Sequence, residues 1–345
     1  MCRTPSRTGG FFLPLQTNSF EILPQFIYFT STRKGVYMKT LYGPVPSRRL
    51  GLSLGIDPFE RKTCTHNCIY CQLGYAPSVA SDISIDGVSP ETVEEELADF
   101  FNSGGKADYI TFSGSGEPTL WKHIGRLCKF IKENFSHIKL AVITNGTTLW
   151  RNDVRSAIGI ADVVVPTISA SSEKIYKILH RPNKNATFEQ YIQGISKFAQ
   201  NYSGEIWAEV MLVDGVNDGD DNVLELSNLL KDMPIKYIDL NLPVRPPAEK
   251  WVHPPQKAKV ENICKKFGKK CRIVGKFTSH SHYVANIVDL SENILKILSR
   301  RPETAEGLSA ALGKSSEEIT LSLNALVDKK IIIPLENGYF KIRNE

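Results

Sequence analysis

No apolar run in this 345-residue chain approaches the roughly 20 residues that a membrane-spanning helix requires, so an integral membrane protein is not expected. The first residues lack the charged, then apolar, then small order of a secretory signal. An excess of charge of one sign is lacking as well. The net charge is +5, and residues 1–37 hold Arg3, Arg7, Arg33 and Lys34 against Glu21 alone, which leaves about +2 for the remainder. Charge on that scale gives no general attraction for nucleic acid. Cysteine is limited to seven, an odd number with three clustered, and nothing else marks a disulfide scaffold. That usage fits a reducing, cytoplasmic setting.

Against this plain background one stretch stands out. It is CTHNCIYCQLG at residues 64–74, with Cys64, Cys68 and Cys71 spaced C-x3-C-x2-C. Three thiolates on one loop can hold three corners of an iron–sulfur cube, whose full protein ligation takes four cysteines. No fourth lies nearby, since the next is Cys128. One iron is then left without a protein ligand and open to a small molecule. A structural zinc site is the alternative, and it wants four Cys or His ligands. His66, between the first two cysteines, is the candidate fourth, at the cost of a strained loop.

From Leu50 onward, apolar runs of strand length alternate with amphipathic stretches of helix length. The runs predict strands at Gly51–Asp57, Tyr109–Ser113, Lys139–Thr144, Val163–Ile168, Ile206–Val213 and Tyr237–Leu242. The amphipathic stretches predict helices at Ser89–Asn102, Leu120–Asn134, Asp153–Gly159, Thr187–Asn201, Asp220–Lys231 and Pro255–Phe267. Six strand–helix repeats imply a parallel sheet with right-handed crossovers, short of the eight that close a barrel. The expected fold is α/β, an open partial (β/α)6 barrel over residues 41–285. Residues 1–40 have no clear period and read as an N-terminal extension, with Met38 as a candidate start and a short strand near Ile22–Phe29 as the competing reading. From Leu290 the pattern changes to three short helices, followed by Ile331–Pro334 and Tyr339–Ile342 flanking Asn337-Gly338, a hairpin signal. Residues 286–345 therefore predict a small C-terminal winged-helix domain.

In such folds chemistry sits at the C-terminal ends of the strands. After the cysteine loop the chain places there Ser113-Gly114-Ser115-Gly116-Glu117-Pro118, then Thr144-Asn145-Gly146, Thr167-Ile168-Ser169-Ala170-Ser171, Met211-Leu212-Val213 and Asn241 to Arg245. Glycines let a backbone approach a ligand closely, and Glu117 offers a carboxylate to an ammonium group. The cysteine spacing, with Tyr70 as the aromatic before the last cysteine, resembles the radical S-adenosylmethionine (radical SAM) superfamily. The flanks GPVPSRRLGLSLGID and FSGSGEPTL resemble a branch distantly related to wyosine-forming, tRNA-modifying Fe–S oxidoreductases.

The resemblance covers roughly residues 42–280. It implies a radical SAM barrel with a [4Fe–4S] cluster on Cys64, Cys68 and Cys71 and S-adenosylmethionine at the open iron. It further implies that Gly114, Ser115, Gly116 and Glu117 face the amino group of SAM, and that Tyr70 and Leu212 lie near adenine. Asn145, Ser169 and Ser171 complete the implied set. Ser115 stands where the family has Gly, and Ser169 where it often has Asp. Arg245 is the cation expected near substrate or the SAM carboxylate. Flavodoxin or ferredoxin is the implied electron donor.

Lys265, Lys266, Lys269, Lys270, Arg272 and Lys276 form a run without an acid. It is either a solvated face or a track for a phosphate backbone. Together with the wyosine likeness it makes an RNA base the favoured substrate. One alternative is a radical enzyme for a small molecule or a protein partner. Another is an Fe–S redox sensor that reads DNA. Residues 291–345 carry eight Lys/Arg and eight Asp/Glu, and the third helix opens on Glu317 and Glu318, which argues against DNA binding by that helix.

Overall fold

The computed structural model describes residues 40–76, 79–80, 84–274 and 290–343, all within one compact unit. The expected N-terminal extension up to residue 39, its competing strand, the start at Met38, and Lys276 lie outside the described residues.

The sheet begins with a hairpin, β1 (Leu41–Ser47) antiparallel to β2 (Gly51–Ile56). Every later neighbour is parallel: β3 (Tyr109–Phe112), β4 (Lys139–Thr144), β5 (Val163–Pro166), β6 (Glu205–Met211), β7 (Tyr237–Asn241) and β8 (Cys271–Val274). Spatial order equals chain order across the eight strands, so the sheet curls one way into a half-barrel. The chain returns through α1 (Pro90–Asn102), α2 (Ile124–Asn134), α3 (Asn152–Ile158), α4 (Glu173–His180), α5 (Phe188–Asn201), α6 (Asp220–Lys231) and α7 (Lys257–Phe267). Local chemistry fixes these starts. Ser89 accepts from Thr92 N, with Pro90 at the first helical position, and Thr187 accepts from Gln190 N, each satisfying a backbone donor that the helix cannot.

The six predicted strands are present, and two further ones, β1 and the four-residue β8, join them. Pro44 and Pro46 spoil the strand signal of β1, but an edge strand has room for residues without an N–H. β8 is four residues that follow a lysine-rich turn. One face of the strands packs Leu54, Phe112, Val142, Val164, Val210 and Leu240 beneath the helices. The other face lines the lumen. Toward the strand starts the lumen is apolar, with Leu50, Ala141, Val163, Val165 and Trp207. Toward the strand ends it is polar, with Ser53, Thr111, Thr167, Glu209 and Asn241 buried.

The C-terminal part consists of α8 (Leu290–Leu298), β9 (Glu303–Thr304), α9 (Ala305–Leu312), α10 (Ser316–Asp328), β10 (Ile332–Pro334) and β11 (Tyr339–Ile342). Its strands pair in the order β10-β11-β9. Asn337 and Gly338 both take positive φ, 63° and 76°, as a tight hairpin turn demands. Ser315 and Glu318 form a reciprocal cap on α10, which gives the acid a helix-starting role. The small core of this part includes Val45 from β1, so it packs against the first hairpin of the barrel. Among the described residues no helix is long and apolar enough to cross a membrane.

Candidate active site

The loop after β2 carries the three cysteines, and backbone hydrogen bonds strap it on two sides. Thr63 N donates to Ser115 O (2.9 Å) and Glu117 N to Thr63 O (2.9 Å) on the β3 side. Asn67 N donates to His180 O (2.9 Å), Ile69 N to Leu179 O (3.0 Å) and Asn183 N to Thr65 O (3.0 Å) on the α4 side. Ile69 is fully buried among Leu179, Met211, Val213 and Val252. Gly116 is required by this packing, because a Cβ there would lie 1.8 Å from Thr63 O. A Cβ at Gly114 would likewise meet the Asp57 side chain at 2.4 Å. These glycines let two loops of the protein approach each other.

None of the three cysteines is in a disulfide. Asn145 Nδ2 and His66 N each lie 3.4 Å from Cys64 Sγ, and both are donors. His180 Nδ1 lies 3.5 Å from Cys68 Sγ and 3.1 Å from the Tyr70 hydroxyl. Burial pushes the Cys64 thiol up to about 12, with the Glu117 charge adding to it. Burial, then the neighbouring thiols, holds Cys68 well above the usual range. Such thiols stay protonated until a metal displaces the proton. Beneath them the His66 and His180 rings stack at 4.9 Å, and burial keeps both below the usual imidazole range, His180 near 3.

The donor set suits a [4Fe–4S] cluster better than a zinc ion. Three thiols leave a loop whose flanking N–H groups point at sulfur, the arrangement that stabilises cluster thiolates. The zinc alternative needs His66 beside all three cysteines. Its Nε2 instead bonds the Tyr176 hydroxyl at 2.9 Å, and the compact donor group that includes His66 contains only Cys68 and His180.

The residues expected to face SAM divide into two sets. Tyr70, Gly114, Ser115, Gly116, Glu117 and Asn145 converge on the cysteine loop. Glu117, 1% exposed, accepts from Thr119 N (3.0 Å), Thr119 Oγ1 (2.5 Å) and Thr144 Oγ1 (2.7 Å) on Oε1 and from Asn145 N (2.5 Å) on Oε2. Its carboxylate therefore joins the β3 and β4 loops. The second set is engaged elsewhere. Ser169 Oγ accepts from Met211 N at 2.8 Å, Ser171 Oγ donates to Asn222 and Glu225 on α6, and Leu212 is fully buried in the main core. Arg245, expected near substrate or the SAM carboxylate, is buried and paired with Glu303 at 3.0 Å.

Several site residues carry no sequence signal. Asp57 Oδ2 accepts from Ser115 N (3.0 Å) and Ser115 Oγ (2.6 Å) and lies 3.3 Å from Arg300 Nε of the C-terminal part. Arg49 pairs with Glu209 at 2.5 Å, and Arg48 donates to Asn241 Oδ1 (3.0 Å) and Val274 O (3.3 Å), which links the first hairpin to β8. Burial alone would raise Glu209, but Arg49, Arg48 and Asn241 hold it below the usual range. These groups are far apart in sequence, so no spacing announces them.

The described lysines of the basic run lie on an exposed face. Lys265 and Lys266 end α7, and Lys269 and Lys270 immediately precede β8. That is the end of the sheet opposite the cysteine loop. Arg272 leaves the run altogether. It turns inward to Asp239 at 2.8 Å and stacks on Tyr237.

The family model described as Radical SAM superfamily matches residues 62–227. A UPF0026 protein of Methanocaldococcus jannaschii is 32% identical over 308 residues, covering 87% of this chain and 94% of that protein. A protein named "Probable dual-specificity RNA methyltransferase RlmN" from Desulforamulus reducens is 23% identical, covering 69% of this chain and 70% of its own. Among solved structures, a radical SAM methyltransferase from Sphaerobacter thermophilus matches at 18% identity with a TM-score of 0.49, over 66% of this chain and 67% of that one.

Proposed function

This chain belongs to the radical SAM superfamily and is an enzyme of that type, and from that premise we propose that Cys64, Cys68 and Cys71 hold its [4Fe–4S] cluster and that substrate reacts in the polar end of the lumen. Held by those cysteines, a cluster would supply one-electron reduction of SAM and, through the resulting carbon–sulfur cleavage, removal of a hydrogen atom from substrate. The chain's own groups position and shield. Asn145 and the His66 amide donate toward Cys64 Sγ. Tyr70 and His180 cover the Cys68 side, and Ile69 anchors the loop in an apolar socket. Asp57 sets the Ser115 backbone, and Glu117 ties that loop to Asn145. Flavodoxin or ferredoxin is the proposed donor.

The observation that carries this reading is the C-x3-C-x2-C loop strapped to the Ser113–Glu117 loop at the C-terminal ends of β2 and β3, with two N–H donors toward Cys64 Sγ. Anaerobic reconstitution tests it through iron content and the electron paramagnetic resonance of the reduced protein. About four irons per chain and a spectrum that changes on adding SAM are expected. A protein that stays iron-free, or a signal blind to SAM, contradicts it.

A second reading takes the hydrogen from an RNA base. The relative named as an RNA methyltransferase favours it, whereas the position of Lys265 to Lys270 does not. Transfer of deuterium from labelled tRNA into 5′-deoxyadenosine supports this reading, and its absence with tRNA from several sources rejects it.

A further inference from the structure

His180 is the last residue of α4, and Arg181 after it takes the left-handed region at φ 43° before the chain reaches Pro182. The backbone oxygen of His180 accepts from Asn67 N, which ties this helix end to the cysteine loop. The side chain is 1% exposed. Its ring stacks on His66 with centroids 4.9 Å apart and meets Tyr176 at 5.4 Å and Tyr70 at 5.9 Å. A ring packed among others has little freedom to turn. Its direction puts Nδ1 3.5 Å from Cys68 Sγ and 3.1 Å from the Tyr70 hydroxyl.

The opposite nitrogen decides where the imidazole proton lies. Nε2 is buried, and it has no hydrogen-bond partner among the described residues. A proton on Nε2 would leave a buried N–H without an acceptor. It would also aim the Nδ1 lone pair at the sulfur, which is a thiolate once metal is bound. A proton on Nδ1 instead has the sulfur and the phenol oxygen within reach, and the bond to thiolate is charge-assisted. His66 does not compete for this role, because its Nε2 is engaged by the Tyr176 hydroxyl at 2.9 Å. The two amide donors near the loop serve Cys64, so His180 is the nitrogen placed at Cys68.

We propose that His180 acts through Cys68 as a positioning residue for the redox step: its Nδ1–H donates to the Cys68 thiolate and raises the reduction potential of the cluster. The proposal rests on the reading that Cys68 is a cluster ligand. A hydrogen bond to a ligating sulfur favours the reduced, more negative form, and such bonds are among the factors that set cluster potentials. His180 keeps its proton throughout, and the electron comes from the external reductant.

Redox titration of the reconstituted protein without SAM, followed by electron paramagnetic resonance, tests this. At an ambient potential near the wild-type midpoint, His180→Leu is expected to lower the reduced-to-oxidised ratio about tenfold, equivalent to about 59 mV for one electron. Asn carries its amide nitrogen near the position of Nδ1, and Gln carries it near Nε2. His180→Asn is therefore expected to stay within about threefold of the wild-type ratio, while His180→Gln falls with His180→Leu. Lost packing alone would move Asn and Gln alike, and this pair carries the test where His180→Leu does not load iron. In the wild type, isotope-labelled histidine should give a weak nitrogen hyperfine coupling to the reduced cluster. An unchanged ratio in iron-loaded His180→Leu, equal ratios in the Asn and Gln variants, or no histidine coupling overturns the proposal. So does a strong coupling, which would make a histidine an iron ligand instead. Iron content and the SAM-induced spectral change are read on the wild type first, so failure of the cluster reading shows there and not in the potentials of the variants.

Discussion

The two sides of the barrel mouth are built by different means. On the β2–β4 side, the cysteine loop, the Ser113–Glu117 loop and Asn145, which lies 81 residues from Cys64, interlock through backbone amides, glycines and hydroxyls. On the β6–β8 side, Glu209, Asn241 and Arg245 meet Arg48, Arg49, Arg301 and Glu303 from both ends of the described chain. The first side is held mainly by backbone and hydroxyl hydrogen bonds between short motifs. The second is an ion-pair assembly set by tertiary packing. The first side is thus built from short motifs, whereas the second is assembled from single charged residues spread over the fold.

Substitutions sharpen that contrast, and the largest effect belongs to the cradle. Cys68→Ala is expected to abolish cluster loading, read as iron content and the loss of visible absorption, while the fold, read by circular dichroism, persists. On the other side the main effect falls on stability. Glu303→Ala leaves the buried Arg245 and Arg301 without their shared carboxylate and is expected to cost about 3–5 kcal/mol in urea unfolding. A loss under about 1 kcal/mol, the scale of an exposed pair, would show that water already screens the group and would erase the contrast.

Asp57 connects the two sides, since one oxygen serves Ser115 and Arg300 together. Asp57→Asn is expected to weaken SAM binding roughly tenfold, equivalent to about 1.4 kcal/mol, with cluster content unchanged. Burial raises Asp57 above the usual carboxylate range against the pull of Arg300 and Ser115. Protonation removes the charged acceptor. SAM affinity should therefore fall as pH is lowered through that raised value, and the Asn variant should show a flatter profile. The smallest effect is predicted for Lys265, Lys266, Lys269 and Lys270 changed together to Ala. At the far end of the sheet they should alter 5′-deoxyadenosine formation by less than about twofold, where a change of 1.4 kcal/mol would be tenfold. A tenfold loss would move the substrate path to that end.

The sequence was informative where period and spacing are local. The six central strands and their order follow from alternating runs, and the C-x3-C-x2-C loop lies at the predicted strand end. β1 was hidden because Pro44 and Pro46 are strand breakers that only an edge position accommodates, and β8 because four residues after a lysine-rich turn carry little periodic signal. The glycines were legible as close-approach positions, but what approaches Gly116 is Thr63 O. Ser171 and Leu212 sit at the right strand ends, yet their partners on α6 and in the core depend on side-chain direction, which spacing does not encode. Arg245 was singled out as a functional cation, and its partner Glu303 lies 58 residues away. No local pattern pairs them.

The central claim is that the cysteine loop supports radical cleavage of SAM. Its most direct test is 5′-deoxyadenosine formation by the reconstituted protein under anaerobic conditions with dithionite and SAM, beside Cys68→Ala. Product from the wild type and none from the variant is the predicted result. A wild-type protein with a full cluster and bound SAM that forms no 5′-deoxyadenosine, with or without candidate substrates, would contradict it.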